Sequence, residues 1–364
     1  MSSIKLRDLS VRFRDGSFGL QNINLSIESE EFVVLIGPSG SGKTTMLRTI
    51  AGFVEPTSGS VHIGGDNMTH VPPEQRRMGM VFQQHAVWPH MSVAKNIGYP
   101  LVRNGEKKAS ISKRVERVLD LVGLEGFGSR KPASLSGGQR QRVALARAII
   151  ADPTVLLLDE ALSALDEPLR DALRRELVSL TRREGLTTVH VTHDRAEAIS
   201  IADRIVVLGG GNIQQIATPT ELLSAPATAD VARFIADATV LTGTIQHGKV
   251  VCSDLGISWD LGAVQAIDDV IEGESVDIAI PPQSVSIGPA HHPDYIFAEI
   301  TSVLFQVTSY SITAKTHTGH SFRTSISCSI PVIGETIGLS VENPLVYRTF
   351  DQDRSRGTVS WSPD

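Results

Sequence analysis

Phe32-Val33-Val34-Leu35-Ile36 runs straight into Gly37-Pro38-Ser39-Gly40-Ser41-Gly42-Lys43-Thr44, and the following Met46, Leu47 and Ile50 space their apolar side chains as a helix does. Five apolar residues in a row suit a strand covered on both faces. The order is therefore strand, glycine-rich turn, helix, and the turn reads G-x-x-x-x-G-K-[ST]. Glycines let the backbone curl so that successive N–H groups converge on phosphate oxygens. The helix adds its positive N-terminal end. Lys43 supplies a cation to the β- and γ-phosphates, and the Thr44 hydroxyl is a Mg²⁺ ligand. A turn that binds nothing would not need Lys and Thr fixed behind the last glycine. Ser39, Gly40, Ser41, Gly42, Lys43, Thr44 and Thr45 are the candidate nucleotide-binding residues.

Working outward, further apolar runs occur at Val155–Leu158, Thr188–Val191 and Ile205–Leu208. Between them lie helical stripes: Val115, Val118, Leu119 and Val122, then Leu169, Leu173, Leu177 and Leu180. Alternating strands and helices predict an α/β domain on a mostly parallel sheet. Residues 91–150 read as a helical subdomain. Asp159-Glu160 closes one of the apolar runs, where carboxylates stand at the sheet edge that binds ligands. Asp159 is the candidate Mg²⁺ holder and Glu160 the residue that orients or deprotonates an attacking water. A strand ending in solvated acids is common, so this pair carries weight only beside the phosphate loop.

Charge divides the chain. Residues 1–235 hold 28 basic and 25 acidic side chains, whereas residues 236–364 hold 6 and 15. This places a domain boundary at 235/236, after a short helix near Asp230–Ala236. Beyond it come short alternating segments such as Ser275–Ile280 and Ser309–Thr313, punctuated by Gly and Pro, an all-β texture. The polar tail 351–364 reads as loosely held. The two cysteines, Cys252 and Cys328, lack metal-ligand spacing. The first ten residues hold no secretory signal, and no apolar run reaches membrane-spanning length. A secreted disulfide scaffold, an integral membrane protein and a disordered chain are excluded.

Between the phosphate loop and the acid pair stands Leu135-Ser136-Gly137-Gly138-Gln139, followed by Arg140-Gln141-Arg142-Val143-Ala144. Ser136 reads as a helix N-cap. A plain capped helix does not explain why the motif ends, at Gln139, 20 residues before Asp159. With this motif the first 235 residues resemble an ABC-type ATPase, the nucleotide-binding subunit of an ATP-driven transporter. The resemblance implies a P-loop NTPase fold, ATP and Mg²⁺ as cofactors, and a homodimer. In that dimer Ser136, Gly137, Gly138 and Gln139 of one protomer close over the ATP of the other. It further implies that Gln83 touches Mg²⁺ and senses a membrane partner, that Ser163–Asp166 communicates across the dimer, and that His193 contacts the γ-phosphate. Phe13 stands where the family stacks an aromatic ring on adenine; Tyr is usual there. Two departures are Ala161, where importers usually carry Pro, and Glu30-Glu31 in place of Gly-Glu.

The β-rich extension resembles that of importers for sugars, polyamines, ferric iron, sulfate-type anions or phosphonates, and implies an OB-like fold. Ile280-Pro281-Pro282-Gln283 replaces the relatives' I-R-P-E. The extension's net negative charge speaks against nucleic acid, which needs Lys and Arg. The expected role is ATPase of an importer, working with two integral membrane permease subunits and, indirectly, a solute-binding protein. Its expected place is the cytoplasmic face of the inner membrane. Trp88-Pro89-His90-Met91 is the expected permease contact, with wording that leans to iron, phosphonate or polyamine import over sugar. The alternatives are a sugar importer and a non-transport ABC ATPase. The latter is opposed by a single phosphate loop and by a spacing of only 91 positions from Thr44 to Leu135, without a long heptad run.

Overall fold

The computed structural model describes residues 2–83, 86–162, 167–288, 295–327 and 330–349, with only the backbone for 167–169. The Ser163–Asp166 motif, Cys328 and the tail lie outside them. The described chain divides into two compact units at Pro219/Thr220.

The first unit runs β1 (Ile4–Arg12), β2 (Phe18–Ile27), β3 (Phe32–Ile36), α1 (Lys43–Ala51), β4 (Ser58–Ile63), β5 (Asp66–Asn67), β6 (Met78–Val81), α2 (Val93–Arg103), α3 (Lys108–Leu121), α4 (Gly137–Ile149), β7 (Val155–Asp159), α5 (Glu167–Arg183), β8 (Thr187–Val191), α6 (Arg195–Ile201), β9 (Arg204–Gly209) and β10 (Asn212–Ala217). One sheet has the order β10-β9-β3-β8-β7-β6, and all its pairs are parallel except β10 with β9. Its central strands are buried along their whole length, as the unbroken apolar runs require. An antiparallel sheet, β2-β1-β4-β5, shares a core with it through Leu6, Leu25, Leu35, Leu47 and Val189. Because β3, β8, β7 and β6 are parallel neighbours, their C-terminal ends come out at one sheet edge. The register Leu35↔Val191↔Asp159 and Val81↔Leu158 sets the loops after these strands side by side.

The second unit continues with α7 (Pro219–Ser224), which straddles the division, α8 (Ala229–Ala236), β11 (Thr239–Gln246), β12 (Lys249–Cys252), β13 (Ile257–Asp260), β14 (Gln265–Ala266), β15 (Ser275–Ile280), β16 (Val285–Gly288), β17 (Ile296–Gln306), β18 (Ser309–Thr316), β19 (Ser321–Ile326), β20 (Thr336–Val341) and β21 (Leu345–Arg348). Its sheets, β13-β12-β11-β15-β21-β14 and β16-β20-β17-β18-β19, enclose one core built from Ile245, Val276 and Ile278 of the first and Ile300, Ile312 and Leu339 of the second. The division falls sixteen residues before the 235/236 boundary that charge suggested. The reason is packing: Ala229 and Ala232 of α8 are buried against Ala279, Leu345 and Tyr347, and the Tyr347 hydroxyl donates to Pro226 O at 3.0 Å.

Candidate active site

The phosphate loop is shaped by close approaches. A Cβ on Gly37 would collide with Leu208 O, and one on Gly42 with Gly19 O, while both residues hold positive φ. Gly42 caps α1 without a side chain, so no side chain occupies the first-turn N–H groups. Ser39 and Gly40 are exposed, Thr44 and Thr45 half-buried, and Ser41 buried. The Lys43 ammonium, almost buried, donates to Gly37 O at 2.7 Å and Pro38 O at 2.9 Å. Burial pulls its pKa down, against the opposing charge of Glu160. The Phe13 ring, 45% exposed, lies with the Thr45 methyl against Gly19, at the flank of the loop.

Asp159 is buried at the end of β7. Its carboxylate lies 3.4 Å from Thr44 Oγ1 and 3.7 Å from the Arg48 guanidinium, a partner the sequence did not announce. Burial raises its pKa; Glu160 adds to the rise, and Arg48 and Thr44 oppose it. Glu160 occupies the left-handed region at φ 48°, with its amide donating to Val191 O at 3.0 Å. Gln83 Nε2 donates to Glu160 Oε2 at 2.6 Å, and His193 Nδ1 stands 3.9 Å from the same oxygen. One edge thus gathers Lys43, Thr44, Gln83, Asp159, Glu160 and His193 from four loops. The Thr44 hydroxyl and Asp159 carboxylate are hard oxygen donors, the chemistry Mg²⁺ prefers.

Ser136, Gly137, Gly138 and Gln139 are placed elsewhere. They start α4, which packs on α2, α3 and β6, whereas α1 packs on β2, β7 and β8. Ser136 and Gln139 are engaged with each other: Ser136 Oγ accepts Gln139 N at 3.3 Å, and Gln139 Oε1 accepts Ser136 N at 3.0 Å. This reciprocal capping box fixes the helix start and presents the two glycines between its members.

Two features were not read from the sequence. Gln141, buried in α4, donates its amide to the carbonyl of Ala161, directly after Glu160. Its only sequence signal is a polar residue on the face that carries Leu145 and Ala148. The other is the packing of Trp88, a residue expected as a permease contact. It is half-buried, with its ring 4.6 Å from the Arg147 guanidinium and 4.6 Å from Tyr99, and its backbone clipped on both sides by the buried Asn96 amide. Trp88 therefore joins α2 to α4, and Pro89 and His90 are the exposed residues of that stretch.

Residues 20–163 match the ABC transporter family. A spermidine/putrescine import ATP-binding protein of Oleidesulfovibrio alaskensis is 42% identical over 315 residues, 85% of this chain and 84% of the relative. This chain belongs to the ATP-binding subunits of ABC importers. A sulfate/thiosulfate import ATP-binding protein of Caulobacter vibrioides is 48% identical over 249 residues, 66% of this chain and 74% of the relative. Among solved structures, a dimeric ATP-binding cassette in a post-hydrolysis state, bound to ADP and Pi, is 35% identical with a TM-score of 0.54, covering 59% of this chain and 98% of its own. The ABC importer subunit is an ATPase and uses a nucleotide. No helix among the described residues is long and apolar enough to cross a membrane.

Proposed function

We propose that the chain works as a homodimer that drives import of a polyamine-class cation through two separate membrane permease subunits, fed by a solute-binding protein, at the cytoplasmic face of the cell membrane. The observation that carries the reading is the gathering of Lys43, Thr44, Gln83, Asp159, Glu160 and His193 at one edge while Ser136–Gln139 sits on a differently packed helix. A second chain would complete each site, placing two ATP molecules between phosphate loop and signature motif. The spermidine/putrescine names of relatives that this chain matches over more than four-fifths of its length favour a polyamine.

Lys43 exchanges its loop carbonyls for the β- and γ-phosphates. Thr44, Asp159 and Gln83 hold Mg²⁺, which when bound neutralises phosphate charge. Glu160 orients the attacking water and accepts its proton, and His193 contacts the γ-phosphate. Phe13 stacks on the adenine. The test is ATP hydrolysis by the full-length chain assembled with its permeases and a solute-binding protein. Spermidine- or putrescine-loaded binding protein should stimulate turnover. Stimulation by sulfate-loaded binding protein alone would overturn the polyamine assignment and leave the ATPase intact.

A further inference from the structure

Beneath the exposed ring of His193 lies a buried polar set that none of these steps uses. His190 on β8 has no exposed surface, and Glu197 on α6 is 2% exposed. His190 Nε2 stands 3.1 Å from Glu197 Oε1, and the Thr192 hydroxyl donates to Glu197 Oε2 at 2.6 Å. The Thr192 oxygen in turn accepts the Asp194 amide at 3.0 Å. Asp194 accepts the Glu197 amide at 3.0 Å and also binds Arg174 at 2.8 Å. The residues on both sides of His193 are therefore tied to Glu197, Thr192 through its buried carboxylate and Asp194 through its backbone amide. A buried carboxylate left short of partners is expensive, so this one cannot release Thr192 cheaply. The His193 side chain itself is 65% exposed. Little packing surrounds the ring, so the backbone that carries it must aim it.

We infer that Glu197, braced between His190 and Thr192, is a positioning residue that aims His193 toward the γ-phosphate. The inference rests on the reading of His193 as the γ-phosphate contact, and its test separates the two. Thr192→Val removes the hydroxyl at constant shape and leaves Glu197 paired with His190. Turnover of the full-length chain should fall about tenfold, the worth of one lost hydrogen bond, with KM for ATP little changed. Thr192→Ser should restore it. In nucleotide-free protein labelled with ¹⁵N-histidine, Thr192→Val should shift the His193 resonance, assigned by its loss in His193→Ala. Glu197→Gln should do the same. The double variant His193→Ala/Thr192→Val should be no slower than His193→Ala alone, because positioning has no effect without the ring. An unchanged His193 resonance in Thr192→Val overturns the inference, as does a double variant whose loss is the product of the two single losses. A His193→Ala chain at wild-type turnover overturns instead the reading of His193 itself.

Discussion

At the scale of single residues, the site is a set of groups that the fold holds at a cost. Asp159 is the clearest. Burial keeps its carboxyl pKa above the ordinary value, with Glu160 adding repulsion and Arg48 and Thr44 offsetting part of the rise. The folded chain therefore binds this proton more tightly than the unfolded chain does. Stability is lost as pH rises from the unfolded pKa through the raised folded one. Asp159→Asn should melt higher than wild type at pH 7 without nucleotide, in a thermal scan, while losing Mg²⁺-dependent ATP binding. Glu160 and Lys43 separate two other roles. Glu160→Gln keeps size and hydrogen bonding and cannot accept a proton, so it should bind ATP and turn over more slowly by on the order of 10²-fold or more. Lys43→Ala removes the phosphate cation, so ATP affinity itself should fall. Equilibrium binding and steady-state turnover on both variants distinguish these outcomes.

At the scale of elements, α4 is the hub. Its start carries the signature glycines, its buried Gln141 reaches the carbonyl after Glu160, and its far end holds Trp88 through Arg147. One helix therefore contacts both the loop that carries Glu160 and the α2 corner. Trp88→Ala removes an aromatic stack and a cation–π contact, and should cost the first unit roughly 2 kcal/mol in chemical denaturation. That loss appears in the isolated chain, before any permease is added, which a pure docking residue would not show. Gln141→Leu keeps the volume and removes the bond to Ala161 O. Turnover should drop with ATP affinity retained, since Gln141 touches the loop that carries Glu160 and not the phosphate loop.

At the scale of the whole molecule, the two units meet in sequence at Pro219/Thr220, and α8 belongs to the β-rich unit. A chain ending at Pro219 should fold and bind Mg-ATP, because the phosphate loop, Asp159, Glu160 and His193 all precede it. One ending at 235 keeps most of α8 but strips Ala229 and Ala232 of their cover. Gel filtration should show the longer product self-associating at concentrations where the shorter is monodisperse. Equal behaviour of the two would place α8 with the first unit.

The phosphate loop, the acid pair, the signature motif and the strand–helix alternation were legible because each is local. Glycines in fixed positions, an apolar run ending in carboxylates and a Ser136 N-cap declare their geometry within a dozen residues. The same holds for the α/β and all-β halves, whose apolar periods differ. Packing decided the rest. Charge composition put the domain boundary after α8, whereas burial of Ala229 and Ala232 put it before that helix, since composition does not record which face a helix covers. Trp88 read as a permease contact, and only the meeting of α2 with α4 placed its ring beside Arg147 and Tyr99. Arg48 beside Asp159, Gln141 on Ala161 O, and Glu197 between His190 and Thr192 join different elements. A one-dimensional pattern gives each of these side chains a residue type and a local setting; its partner is assigned only when strands and helices far apart in the chain are brought into contact.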